Sequence, residues 1–328
     1  MYYNSEGVSQ DYAKTLEWLQ KAANQDYAKA QFNLGVMHYH GEGVSQDYAK
    51  ALEWFQKAAN QGLANAQSNL GSMYYRGEGV SQDYAKALEW SQKAANQGDA
   101  AAQFTLARLY SRGEGGVSQN YARAFEWYQK AANQGDVAAQ FNLGTMYYNG
   151  EGVSQDYAKA LEWSQKAANQ GYASAQANLG ALYAKGEGGV RQDYAKAFEW
   201  SQKAANQGDA NGQANLGAMY SNGTGVRQDY AKALEWYLKA ANQGYMSGQA
   251  NLGAMYYNGT GVHQDYTKAF EWFQKAANQG YADAQFSLGT IYVYGTGVKQ
   301  NITTAKEWFG KSCDNGNQKG CDEYRKLN

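Results

Sequence analysis

Nine tryptophans, Trp18, Trp54, Trp90, Trp127, Trp163, Trp200, Trp236, Trp272 and Trp308, stand 36 residues apart, except for two intervals of 37. A period of this length marks an array of supersecondary units rather than one continuous globular core. Each longer interval carries one additional glycine at the same place, Gly115-Gly116 and Gly188-Gly189, where other repeats have a single Gly. An inserted residue is harmless only in an exposed connection, so this place is assigned to a loop.

Within a repeat, Ala66, Leu70, Met73 and Tyr74 fall at i, i+4, i+7 and i+8, which is one face of a helix. Gly77-Glu78-Gly79-Val80 ends that helix. Asp83, a good N-cap, opens a second helix running to Asn96, and Gly98 sits where a helix C-terminal glycine belongs. Ala87, Trp90 and Ala94 are expected to form its apolar seam, the two alanines leaving room for the indole to dock. Gly71, in the middle of the first helix, costs about 1 kcal/mol against Ala. It recurs as Gly35, Gly144, Gly180, Gly217, Gly253 and Gly289, with Ala107 in its place once, and predicts close approach of a neighbouring helix. Two short helices cannot enclose a core alone, but stacked pairs can. The fold class that follows is an all-α solenoid of helix-turn-helix repeats.

These residues resemble the Sel1-like repeat family. Its pattern is matched by Ala30, Leu34-Gly35, Met37-His38, Gly41-Glu42-Gly43-Val44, Asp47, Lys50-Ala51, Trp54 and Lys57-Ala58-Ala59, with His38 standing where the family has tyrosine. The tetratricopeptide repeat is the main rival, but it has a 34-residue period and usually a proline at the end of each unit; this chain has no proline. The resemblance implies a right-handed superhelix whose first helices line the concave side. It also implies a role as an adaptor in signalling, envelope biology or host contact.

The expected organisation is a truncated first repeat over 1–26, eight stacked repeats over 27–314 and a polar capping helix over 315–328. The segment Met1 to Val8 matches the middle of a repeat, Met146 to Val153, which reads as a fragment that begins at the tail of a lost helix. A signal peptide could have preceded it, since none is present in this chain. The last segment carries Asp322, Glu323, Arg325 and Lys326, the polar finish that stops further stacking.

Charge narrows the function. Lys and Arg number 29 against 30 Asp and Glu, a net charge of −1. That balance lacks the basic footprint of a nucleic-acid binder. No stretch approaches the roughly 20 apolar residues that would span a bilayer. The expected partner is a protein or peptide, the expected state a monomer, and no cofactor is expected.

Both cysteines lie near the C-terminus, Cys313 and Cys321, eight residues apart. Antiparallel helices joined by a short turn can bring such positions within disulfide reach, and closing that loop would contribute about 2–3 kcal/mol. The alternative is a pair of buried thiols; a metal site would need more ligands. The spacing resembles the cysteine-rich secreted branch of the Sel1-like family. A disulfide would place the chain in the periplasm or outside the cell, with the cytoplasm as the alternative.

No catalytic constellation can be assembled, so the chain is read as a non-enzyme. The recurring Gly-x-Gly lacks the third glycine and the Lys-Ser/Thr of a phosphate loop. His38 and His40 point to different sides of a helix, and His263 falls in a loop. The recurring glutamate before each Trp, such as Glu53 and Glu89, reads as a surface position able to pair with a nearby Lys.

The positions that differ between repeats are free to recognise something. On the first helix the stripe opposite Ala30, Leu34 and Met37 comprises residues 32, 36, 39 and 40 and their equivalents. In the first four complete repeats its Phe, Tyr and Arg members, of the types that form binding hot spots, are Phe32, Tyr39, Tyr75, Arg76, Phe104, Arg108, Arg112, Phe141 and Tyr148, and these are the expected partner-binding residues. Arg76, Phe104, Arg108 and Arg112 are expected at its centre. The alternative is that Phe32, Phe104 and Phe141 pack on the next repeat and that Arg108 is solvated. A second reading is a periplasmic protein binding a glycan or small ligand, with the tyrosines stacking on sugars.

Overall fold

The computed structural model describes residues 12–327, so the N-terminal segment that matches the middle of a repeat lies outside the described residues. Every regular element among them is a helix: α1 (Tyr12–Ala23), α2 (Ala28–His40), α3 (Tyr48–Asn60), α4 (Ala64–Arg76), α5 (Tyr84–Asn96), α6 (Ala100–Arg112), α7 (Tyr121–Asn133), α8 (Val137–Asn149), α9 (Tyr157–Asn169), α10 (Ala173–Lys185), α11 (Tyr194–Asn206), α12 (Ala210–Asn222), α13 (Tyr230–Asn242), α14 (Met246–Asn258), α15 (Tyr266–Asn278), α16 (Ala282–Tyr294), α17 (Ile302–Asp314) and α18 (Gln318–Lys326). The chain forms two compact halves, divided between Trp163 and Ser164. Within each half an even-numbered helix pairs with the odd-numbered helix after it, and successive hairpins stack.

The helix boundaries follow from local chemistry. The Asp83 carboxylate accepts the Lys86 backbone N–H at 3.0 Å and so satisfies an orphan donor at the start of α5. Gly77 ends α4 in the left-handed region at φ 72, its N–H donating to the Met73 carbonyl. Gly79 also has positive φ, and a Cβ there would lie 2.5 Å from the Tyr48 carbonyl oxygen of the preceding hairpin. The Gly-x-Gly signature thus joins a helix cap to a close approach between repeats. The additional glycines lie in the loops, as the spacing predicts.

Leu34, Leu70, Leu106 and Leu143 in the first half, and Leu179, Leu216, Leu252 and Leu288 in the second, are all 0% exposed. Burying each contributes about 1.5–3 kcal/mol relative to exposure. The mid-helix glycines have the expected cause, the approach of their own hairpin partner: a Cβ on Gly35 would lie 2.6 Å from the Phe55 ring, and one on Gly71 would lie 2.6 Å from Ser91 Oγ.

The expected seam of the second helix is corrected by one position. Ala87 and Ala94 are fully buried, but the buried residue between them is Ser91, not Trp90. Trp90 is half-buried, with Lys93 Nζ 4.1 Å from its ring centroid and Lys93 paired to Glu89 at 2.7 Å. Residue 90 is turned about 100° around the helix from Ser91, so the indole lies at the edge of the seam and the lysine covers its face.

A row of buried amides joins the repeats. Gln67, 5% exposed, donates through Nε2 to the Ala59 carbonyl at the end of α3, while its Oε1 accepts from Gln97 Nε2 at 2.8 Å. The same acceptor role falls to Gln31, Gln103, Gln176, Gln213 and Gln249, and to Gln285, whose donor is Asn315. The bond from Gln67 to the Ala59 carbonyl crosses to the preceding hairpin, while the bond that Gln67 accepts from Gln97 closes its own hairpin.

At the C-terminal end α18 packs on α17. Cys313 and Cys321 are joined by a disulfide, with their Cα atoms 4.5 Å apart.

Candidate partner-binding cleft

In the first half the exposed faces of α2, α4 and α6 border an open cleft of about 400 Å³, with the start of α8 at its edge. It brings together five of the residues singled out in the sequence: Tyr39, Tyr75, Arg76, Phe104 and Arg108. Phe32, Arg112, Phe141 and Tyr148 do not line it, although they occupy the same faces of their helices.

Two phenylalanines on these helix faces, Phe104 in the cleft and Phe32 outside it, are seated from beneath. Phe32 lies 5.6 Å from Phe55 and Phe104 lies 5.7 Å from Tyr128, in each case the aromatic residue that follows the tryptophan in the partner helix. Each of these two phenylalanines therefore makes a ring contact within its own hairpin, and Phe32 also packs against a cluster that includes Met73 of the next repeat. Burial pushes the Tyr128 hydroxyl up to about 12, although its bond to Ser111 acts the other way. Phe141 is half-buried on α8, and Tyr148 meets Tyr157 at 5.3 Å.

The tyrosines connect repeats. Tyr39 Oη donates to Glu78 Oε2 at 2.7 Å, from α2 to the loop after α4. Burial raises the Tyr39 pKa, and the bond to Glu78 adds to the effect. Tyr75, 7% exposed, is roofed by residues of α6. The Arg108 guanidinium carbon lies 4.6 Å from its ring centroid and Arg112 Nη1 donates to its hydroxyl at 3.2 Å. Arg108 also lies 5.7 Å from the Phe104 ring. It is half-buried between two aromatic faces rather than solvated.

The arginines differ in their charge partners. Arg76 has Glu78 at 3.5 Å and Arg112 has Glu114 at 3.8 Å. Among the described residues no carboxylate lies within 4.0 Å of Arg108. Asp136, the N-cap of α8, also lines the cleft, but it accepts the Ala139 N–H at 2.7 Å. Its pKa is raised by burial, which those backbone N–H donors oppose. The cleft therefore offers aromatic walls and one stacked cation whose five N–H donors are not spent on an internal ion pair.

Glu78, Glu114 and Asp136 were not singled out in the sequence. For the two glutamates the signal is the middle position of Gly-x-Gly, Glu in most repeats and Thr in others; for Asp136 it is an N-cap residue ahead of a first helix. Of the histidines, His38 is half-buried on α2, His40 is exposed with its ring 5.1 Å from Tyr39, and His263 is exposed in a loop. Among the described residues no group of three His, Cys, Asp or Glu side chains could hold a metal ion. No described helix is long and apolar enough to cross a membrane.

No curated protein matches the chain. Among solved structures, a protective antigen of uropathogenic Escherichia coli strains displaying an SLR fold is 40% identical over 99% of this chain and 77% of its own, with a TM-score of 0.54. A Sel1 repeat protein from Oxalobacter formigenes is 32% identical over 75% of this chain and 96% of its own, with a TM-score of 0.69. The Sel1 repeat model matches nine consecutive segments, residues 1–27, 28–63, 64–99, 100–136, 137–172, 173–209, 210–245, 247–281 and 282–317. The chain belongs to the Sel1 repeat family.

Proposed function

We propose that this protein is a scaffold that binds a partner protein or peptide in the cleft bordered by α2, α4 and α6. The observation that carries this reading is Arg108, stacked between Tyr75 and Phe104 with no carboxylate of its own. An immobilised guanidinium on aromatic faces has lost its side-chain entropy before a ligand arrives. It can therefore donate to a carboxylate or carbonyl of a partner at low cost. The flanking Tyr39, Arg76 and Phe104 supply the residue types that dominate interface energetics. Family membership supports the class, since repeat arrays of this kind present extended surfaces to other proteins.

The Cys313–Cys321 disulfide supports a periplasmic or extracellular setting. The 40% identical Escherichia coli relative, a protective antigen, is in keeping with that setting.

The test is affinity capture with the intact chain beside the Arg108→Ala/Arg112→Ala double variant, followed by calorimetry with the purified partner. A partner retained by the parent and lost by a variant of unchanged helicity supports the cleft. Equal retention by both proteins overturns this placement. Retention of a glycan in preference to protein would move the function to ligand binding.

A further inference from the structure

The second half contains a cavity that comparison between repeats explains. Three places form an aromatic layer beneath the first-helix surface: the one held by Tyr39, the one held by Tyr48 and the one held by Phe55. In the first complete repeat the Tyr39 ring lies 5.1 Å from Tyr48 and 6.5 Å from Phe55. The α14–α15 hairpin repeats this with Tyr257, Tyr266 and Phe273 at 5.3 and 6.5 Å. Where the first tyrosine is lost to Ser111 or Ser221, a buried tyrosine at the third place, Tyr128 or Tyr237, lies beside that serine. Where the third place is small, as at Ser91, Tyr75 remains at the first.

The α10–α11 hairpin has lost both. Ala184 stands at the first place and Ser201 at the third, leaving Tyr194 alone at the second. A cavity of about 290 Å³ occupies the vacated space, lined by Ala184, Ser201 and Tyr194 and, from the next hairpin, Met219 and Thr224. Ser201 is 1% exposed, and its buried Oγ has no hydrogen-bond partner. Lys185 and Asn222, both exposed, mark the mouth. An apolar cavity of about 150 Å³ already accepts a benzene ring, so this one is large enough for a phenol.

We infer that this cavity binds a tyrosine side chain of a partner polypeptide, in the place that a tyrosine of this chain fills in other repeats. The ring packs on Ala184 and meets the edge of Tyr194, the geometry of Tyr39 on Tyr48. The hydroxyl points to Thr224, which stands where Glu78 stands in the loop that accepts from Tyr39. The polypeptide source rests on the protein-binding reading above; the phenol site does not.

The test uses p-cresol, the side-chain analogue of tyrosine, and the tripeptide acetyl-Ala-Tyr-Ala-amide, titrated by NMR into the whole chain, with toluene for comparison. The parent protein is expected to bind p-cresol and the tripeptide saturably, and toluene more weakly. Ala184→Tyr fills the cavity from within and is expected to lower p-cresol affinity by about tenfold or more while keeping its helicity and melting temperature. Thr224→Val is expected to remove the preference for p-cresol over toluene. Absence of saturable p-cresol binding, or equal binding to Ala184→Tyr, overturns the site. Binding of p-cresol without the tripeptide overturns the polypeptide as its source. The Arg108→Ala/Arg112→Ala variant is expected to bind p-cresol as the parent does, so failure of the α2–α6 cleft and failure of this cavity are separable.

Discussion

Arg108 on α6 covers the ring of Tyr75 on α4, with its guanidinium carbon 4.6 Å from the ring centroid. The contact joins consecutive repeats and holds the cation at the floor of the cleft. A partly desolvated cation–π pair is worth about 0.5–2 kcal/mol, a small fraction of the stability of such an array. Arg108→Ala is therefore expected to lower the melting temperature by only a few degrees. Its effect on partner affinity is expected to exceed about 1.4 kcal/mol, a tenfold change. Arg108→Lys should restore stability better than affinity, because an ammonium lacks the planar fork. Paired thermal denaturation and calorimetry check this; equal losses in both would reduce Arg108 to a packing residue.

The glutamine row is a stronger determinant of stability. Gln67→Ala removes the donor to the Ala59 carbonyl and the acceptor for Gln97, and it empties buried space, although Ala59 keeps the Gly62 N–H and Gln97 keeps the Gly62 carbonyl. Each lost bond contributes about 0.5–1.5 kcal/mol, and the vacated volume adds a cavity cost. Gln97→Ala removes an exposed side chain and leaves no buried void, although Gln67 Oε1 loses its donor. Urea denaturation is expected to show Gln67→Ala as the more destabilised of the two by at least about 1 kcal/mol; the reverse order would remove the amides from the stacking account.

These two cases show what was legible in the sequence. Ala66, Leu70, Met73 and Tyr74 are all buried, as their spacing predicts, because a helical face is a local property. The roofing of Tyr75 by Arg108 depends on the offset between neighbouring hairpins, which no local period encodes. That offset is set partly by Gln67 and Gln97, and their signal was a glutamine recurring among buried positions without an apolar reason. Hydrophobicity alone puts Trp90 rather than Ser91 in the seam of the second helix, because it ranks an indole as core. The Lys93 cover that lets it remain at the surface is visible only in three dimensions.

Two glycines with similar backbone angles should respond differently to alanine. Gly62 has φ +88 with nothing within 4 Å of a Cβ position, whereas Gly79 has φ +70 with the Tyr48 carbonyl oxygen at 2.5 Å. Gly62→Ala incurs only the left-handed backbone penalty, roughly 1–2 kcal/mol. Gly79→Ala adds an overpacking cost of about 1–3 kcal/mol, since backbone cannot rotate away. Hydrogen exchange should then show loosening at the α3 N-terminus for Gly79→Ala and none there for Gly62→Ala.

The disulfide should act locally. Cys313→Ser with Cys321→Ser opens a short loop at the end of the array, at a cost of about 2–3 kcal/mol in the chain-entropy model. In a stacked array each hairpin is held mainly by its neighbours, so the loss should fall on α17 and α18. Hydrogen exchange is expected to speed up in those helices and to leave α10 to α13 unchanged. Uniform acceleration through the second half would show that the cap controls the whole stack.

His38 supplies a pH dependence of defined sign. Its pKa is lowered from 6.5, first by burial and then by Lys50, with Asp47 acting in the opposite direction. Its Nδ1 is buried with no hydrogen-bond partner. The folded protein therefore prefers the neutral ring, while the unfolded chain takes up a proton near pH 6.5. Between the folded pKa and that value the unfolded state binds more protons, so stability rises with pH. The stabilisation is complete above the unfolded pKa, declines as the solution is acidified through it, and levels off below the folded pKa. Other repeats hold tyrosine at this place, with Lys86 5.1 Å from Tyr74 as the nearest counterpart. His38→Tyr removes the titrating group and restores that contact. The melting-temperature gap between His38→Tyr and the parent should widen as pH falls from 8 to 5, the carboxylate contributions being common to both proteins. Parallel curves would show that the His38 ring titrates alike in the folded and unfolded chain.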